Sequence, residues 1–141
     1  MKSASERGRA NRDRGVRFER KLATMFRAAG FTARRILEFD RGAGVDLEIG
    51  FILRPFSKDH PQVTYWIPVA IQAKATDRAS DLTTGLTEAQ TGRPSAAAWV
   101  CIHTYRRKLR ILYLAADTPV PTEIEWPTLI QRIKDLSPLR P

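Results

Sequence analysis

Residues 67–74 read Ile-Pro-Val-Ala-Ile-Gln-Ala-Lys, an apolar stretch that ends on an amide and an ammonium two positions apart. Successive side chains of a strand point to opposite faces, so Ala70, Gln72 and Lys74 share one face while Ile67, Val69, Ile71 and Ala73 share the other. Upstream, Val45-Asp46-Leu47-Glu48-Ile49 alternates apolar and acidic residues, the period of a strand, directly after the two-glycine turn Asp40-Arg41-Gly42-Ala43-Gly44. If these strands pair, an acid, an amide oxygen and an ammonium converge at one end of a sheet. Phosphodiester hydrolysis needs that mixture. A divalent cation held by hard oxygen ligands, Mg²⁺ or else Mn²⁺, lowers the pKa of a water and offsets charge developing on the phosphate. A lysine beside it orients the water and stabilises negative charge. Glu19 stands at the border of the apolar face of an upstream helix, so it is a further acid able to look inward. Taken singly, each residue reads as ordinary surface; the conjunction carries the signal.

These side chains need a scaffold, and the patterning supplies one. Phe18, Leu22, Met25, Phe26 and Ala29 fall on one face of a helix over 16–29, with Arg17, Arg20 and Arg27 pointing away and Gly30 placed to end it. Strands are expected over 31–36, 45–53 and 66–75, with Pro68 near the entry of the third and a polar loop or hairpin tip over 54–63. A short helix follows around 86–90. A β-hairpin over 96–104 and 109–115 turns about Tyr105-Arg106-Arg107-Lys108. A linker marked by Pro119 and Pro121 leads to a last amphipathic helix opened by Pro127, with Leu129, Ile130, Ile133 and Leu136 on its apolar face. The order is helix, three strands, short helix, two strands, helix, which makes an α/β protein with a central mixed β-sheet flanked by helices. Three parts are expected: a basic flexible arm over 1–14, a core over 15–118, and a C-terminal linker and helix over 119–141 packed on that core.

The 141 residues suffice for one domain with its own apolar core, and a 43% hydrophobic fraction is ordinary for a folded soluble protein. The longest apolar run, 96–102, is far too short to span a bilayer, and the basic N-terminus has no apolar stretch after it that would make a secretory signal. Cys101, the single cysteine, lies in an apolar stretch, which reads as a buried structural thiol in a reducing cytoplasm. His60 and His103 are isolated and lack zinc-ligand spacing. Trp66, Trp99 and Trp126 read as packing residues before base-stacking ones. The net charge of +9 is lopsided: residues 1–35 hold 11 Lys or Arg against three acids, while the rest carry 13 against 12. A basic segment without bulky apolar residues ahead of Phe18 fits a polyanion such as nucleic acid better than a membrane. Arg106-Arg107-Lys108 with Arg110 reads equally as a phosphate grip or a solvated turn.

Gly15-Val16-Arg17-Phe18-Glu19-Arg20, Gly30-Phe31 with Arg35, Gly44-Val45-Asp46-Leu47 and Ile71-Gln72-Ala73-Lys74 together resemble, in that order, the PD-(D/E)XK nuclease superfamily. Within it the chain is most similar to archaeal-type Holliday junction resolvases and their phage relatives, over roughly residues 15–75. The resemblance implies a restriction-endonuclease-like fold, a homodimer, Mg²⁺ dependence and paired nicks in branched DNA such as a four-way junction. It implies that Glu19, Asp46 and Gln72 are metal ligands and that Lys74 is the catalytic lysine. Arg20 and Arg35 match positions that touch the DNA backbone, and with Arg14, Arg17 and Arg41 they form the expected DNA-binding set.

Two positions depart from the family pattern. Val45 stands where a proline precedes the aspartate, a common variation. Gln72 stands where a carboxylate is usual; its amide oxygen can still ligate, but the site loses one negative charge and holds metal more weakly. Glu48 shares a face with Asp46, and a structural role is favoured over compensation for that charge. The Gln-x-Lys variant also occurs in Mrr-like restriction nucleases, so another nuclease of the superfamily, restriction or repair exonuclease, stays open. So does a non-catalytic branched-DNA-binding protein in which Gln72 marks a decayed site.

Overall fold

Every central strand of this chain carries apolar side chains on both faces, and such a strand needs a layer above and a layer below. The computed structural model, which describes residues 3–36 and 45–137, supplies both. Its elements run α1 (Ala4–Ala28), β1 (Thr32–Arg35), β2 (Leu47–Arg54), β3 (Val63–Trp66), β4 (Val69–Ala75), α2 (Asp81–Gly92), β5 (Ala98–Tyr105), β6 (Lys108–Ala115), β7 (Thr122–Ile124) and α3 (Trp126–Leu136). The strands form a seven-stranded sheet in the order β1-β2-β4-β5-β6-β7, with β3 paired to β2 off this path. β4 and β5 are parallel and the other pairs antiparallel, so the sheet is mixed and the fold is α/β. Only the parallel pair needs a crossover, and α2 provides it.

On one face, Val69 and Ile71 of β4, Val100 and Ile102 of β5 and Ile111 of β6 bury against Leu22 and Phe26 of α1 and Leu129 and Ile133 of α3. On the other face, Ala70 meets Ala89 of α2, and Cys101 and Leu114 meet Leu82 and Leu86. The C-terminal helix is thus part of the main core, locked by Trp126 against Phe26 at 4.8 Å between ring centres.

Several boundaries differ from those the periodicity predicts. The expected flexible arm is, from Ala4 onward, the beginning of α1. Ser3 Oγ accepts from the Glu6 amide (3.2 Å) while Glu6 returns a bond to the Ser3 amide (3.3 Å), a capping box that satisfies two amides the helix leaves free. Alanine and arginine are good helix formers, so this segment is helical by propensity and capping rather than by packing. It buries no residue before Phe18, and for that reason shows no apolar stripe. The expected third strand is split: Pro68 cannot donate to a ladder, and β3 ends at Trp66 while β4 begins at Val69. Residues 54–63 are the tip of the β2–β3 hairpin, with Arg54 facing Val63. The short helix runs a full Asp81–Gly92, and the proline-marked linker contributes β7 to the sheet.

α1 ends where Gly30 takes φ 100°, its amide bonded to Arg27 O (3.0 Å) and the Phe31 amide to Phe26 O (3.2 Å). The Phe26 and Phe31 rings meet edge to face across this turn at 6.1 Å, completing a Schellman motif with its apolar contact. A Cβ at Gly30 would meet no neighbouring atom, so only the backbone conformation resists substitution. Gly30→Ala is expected to lower unfolding stability by about 1–2 kcal/mol, read from the shift of the urea midpoint at unchanged slope.

Candidate active site

β4 delivers its two polar side chains to the face covered by α2, and α2 meets them with a carboxylate that was not among the residues expected at the site. Glu88 accepts from Gln72 Nε2 through Oε2 (2.9 Å) and from Lys74 Nζ through Oε1 (3.1 Å), with the ammonium also 2.9 Å from Oε2. Asp46 joins them from the other side. It lies just before β2, its amide donates to Ile71 O (2.8 Å), and its Oδ2 accepts from the Ala73 amide (2.8 Å), between Gln72 and Lys74 in the chain. Asp46 and Gln72 are 7% and 8% exposed.

The approach of α2 depends on a missing side chain. A Cβ on Gly85 would run into Cys101 Sγ and stand 3.2 Å from Lys74 Cγ, so only glycine lets the helix sit this close to β4 and β5. Leu82, Leu86 and Ala89 give α2 its buried stripe, and Glu88 flanks it. α2 thereby sets a carboxylate against Gln72, the position where the resemblance leads one to expect an acid. A sequence signal existed: the apolar stripe 82, 86, 89 puts Glu88 beside the buried face, and Gln72 left a charge to be sought. Glu48 does not fill this place, being paired with Arg34 (Nε 2.8 Å) and Arg93 (3.6 Å).

Gln72 Oε1 is buried and has no hydrogen-bond partner among the described residues. A buried carbonyl oxygen left this way loses its hydration without replacement, and a cation is one group that supplies it. Asp46 and Glu88 bring carboxylates to residues 72–74 of β4, and hard oxygen donors of this kind suit Mg²⁺. Among the described residues no group of three or more His, Cys, Asp or Glu side chains is arranged to hold a metal ion, so the amide oxygen is needed in any such set. Glu19 is 5% exposed on α1 and is engaged by Arg35 Nε at 3.1 Å.

Of the arginines expected to meet DNA, Arg17 and Arg20 lie exposed on α1. Arg14 pairs with Asp77 (3.1 Å), which tethers α1 to the loop after β4, and its hydrogen bond and charge hold the Asp77 carboxyl below the usual range. Arg35 is the partner of Glu19, and Arg41 lies outside the described residues.

Behind Lys74 a second polar cluster joins β4, β5 and α2. Thr76 Oγ1 donates to Asp81 Oδ2 (2.7 Å), and Nε2 of the fully buried His103 lies 3.1 Å from Thr76 Oγ1 and 3.0 Å from its carbonyl oxygen. His103 is the β5 neighbour of Lys74, so the cluster fixes α2 to the strand end that carries the ammonium. The Thr76 hydroxyl bond holds the Asp81 carboxyl below its ordinary range against the opposing effect of burial, with Arg78 also lowering it. Burial pushes the Cys101 thiol up to about 12, an inert structural sulfur.

Two outcomes follow from this packing. Gly85→Ala is expected to cost about 1–3 kcal/mol through overpacking, and Cys101→Ala in the same chain to recover part of it, a coupling measured by a double-mutant cycle in denaturant. A depressed folded-state pKa contributes stability that is present above the unfolded value, about 3.9 for aspartate, and is lost as pH falls through the folded value. The stability advantage of the native chain over Asp81→Asn is therefore expected to hold at pH 6 and to shrink below about pH 4, read from melts across that range.

Compared with known proteins, the chain matches no family model and no curated sequence.

Proposed function

We propose that this chain is a metal-dependent DNA endonuclease of restriction-endonuclease-like fold that makes paired nicks in branched DNA, as a Holliday junction resolvase does. The observation that carries the reading is the meeting of Asp46, Gln72, Lys74 and Glu88 at one end of β4. An orphaned amide oxygen, two carboxylates and an ammonium within one cluster have no simple use in binding DNA, whose phosphates the carboxylates repel.

Asp46, Gln72 Oε1 and Glu88 would hold Mg²⁺ or Mn²⁺, whereas Glu19, which the resemblance would add from α1, is engaged by Arg35 and forms no three-acid group with them among the described residues. The bound cation supplies a water of lowered pKa and charge to offset that of the reacting phosphate. The remaining work falls to the chain. Lys74 places a positive charge where negative charge grows on phosphate oxygens, the kind of preorganised stabilisation whose removal costs a hundredfold or more. Glu88 contacts that ammonium, and the Thr76–Asp81–His103 cluster anchors the start of the helix that carries Glu88. α1 carries eight Lys or Arg against three acids, and its first half, roughly 20 Å long, stands clear of the core as a phosphate-binding rod. Two copies related by a two-fold axis would present their sites to opposite strands, the symmetry of a four-way junction. Exposed Ile52, Leu53, Phe56 and Val63 on the β2–β3 hairpin offer apolar surface for that contact.

The test is cleavage of an end-labelled four-way junction beside matched linear duplex in Mg²⁺. Symmetric paired nicks in the junction alone are expected, with Asp46→Asn and Lys74→Ala each slower by at least about a hundredfold. Cutting of both substrates alike moves the chain to another nuclease class. Binding without cutting in Mg²⁺ and Mn²⁺ sinks the enzyme reading and leaves a DNA-binding module.

A further inference from the structure

We infer that a cleft beside the candidate active site takes a single unpaired nucleobase of the DNA; the inference rests on the nuclease reading and adds what the substrate must offer. The cleft has a volume of about 400 Å³ and is lined by Glu48, Trp66, Pro68, Ala70, Arg93 and Ser95 among others. It opens on the same face of β4 as the site, because Ala70, Gln72 and Lys74 alternate together. Ala70 and Lys74 stand about 13 Å apart along the strand, so a phosphate at Lys74 and a base in the cleft can lie within a few nucleotides of each other on one strand.

The chemistry of the lining fits such an occupant. Trp66 and Pro68 give apolar walls for a flat ring, and base stacking on aromatic side chains tolerates any base. The Arg34 guanidinium lies over the Trp66 ring at 4.2 Å, so a cation already covers part of this wall. Glu48 is an acceptor for the amino and imino edges of a base, held in place by Arg34 and by Arg93, which is 3.6 Å away. Two guanidinium groups against one carboxylate leave the rim positive, as an anionic backbone requires. The loop carrying Arg93 is itself fixed, since Arg93 O accepts from Trp99 Nε1 (2.7 Å). A base that is paired and stacked in a duplex cannot enter; one at a branch, flap or frayed end can, at small unpairing cost. The cleft thereby gives the chain a way to prefer branch points that does not depend on the symmetry of a dimer.

The experiment measures binding without metal, by fluorescence anisotropy of a labelled duplex bearing a one-nucleotide flap, with the flap nucleotide intact or abasic. The native chain is expected to bind the intact flap about five- to a hundredfold more tightly than the abasic one. Ser95→Trp, which fills the cleft from an exposed loop position, is expected to erase that preference, as is Trp66→Leu, which removes the stacking wall. Equal, measurable affinity of the native chain for both flaps overturns the inference and leaves the nuclease reading standing. A preference that survives Ser95→Trp overturns it too. No binding to either flap or to linear duplex removes the DNA reading and the cleft's role together.

Discussion

The Glu88 carboxylate receives both polar side chains that end β4, and the geometry of the site depends on that three-way contact. Without it, Lys74, whose side chain is 22% exposed, would lose the carboxylate that contacts its ammonium and stand partly desolvated. Gln72 would have two unsatisfied ends instead of one. The contact exists because Gly85 lets α2 press onto β4 and β5, and because the Thr76–Asp81–His103 cluster anchors the start of that helix. A crossover helix that the parallel pair β4–β5 needs for topology is thus also what completes the chemistry of the strand it covers.

The local charge balance explains why a glutamine is tolerable at position 72. The carboxylates of Asp46 and Glu88 and the ammonium of Lys74 leave the cluster mildly negative, and Gln72 adds an oxygen without adding repulsion. Glu88 binds the ammonium through a side chain that is itself 39% exposed. Around this centre the surface is divided by character. Basic residues concentrate on α1, whose first half makes few contacts, whereas the β2–β3 hairpin tip exposes apolar ones.

Much of this arrangement was legible in the chain of residues. Period-two alternation located Asp46 and the Gln72–Lys74 pair, and placed the latter on a common face, because successive side chains of a strand point to opposite faces of the sheet. The helical stripe from Phe18 to Ala29 located the packed half of α1. Its first half was not legible, because a solvated helix held by a capping box at Ser3 and Glu6 has no buried face to betray it. Nor was the break at Pro68, which separates two strands within one apolar run, or β7, three residues long. Glu88 was missed for a different reason: the stripe 82, 86, 89 sets it beside the buried face of α2, but which strand residue it meets is a tertiary contact 14 residues away in the chain.

The nuclease reading requires Asp46, Gln72 and Glu88 to hold a cation beside Lys74, and manganese binding followed by electron paramagnetic resonance tests this most directly. The native chain is expected to bind one Mn²⁺ per active site, with affinity falling at least about tenfold in both Asp46→Asn and Glu88→Gln, each variant remaining folded by circular dichroism. Unchanged manganese affinity in Glu88→Gln would show that Glu88 is only the counter-ion of Lys74, and absence of binding by the native chain would contradict a metal-dependent site at this end of β4.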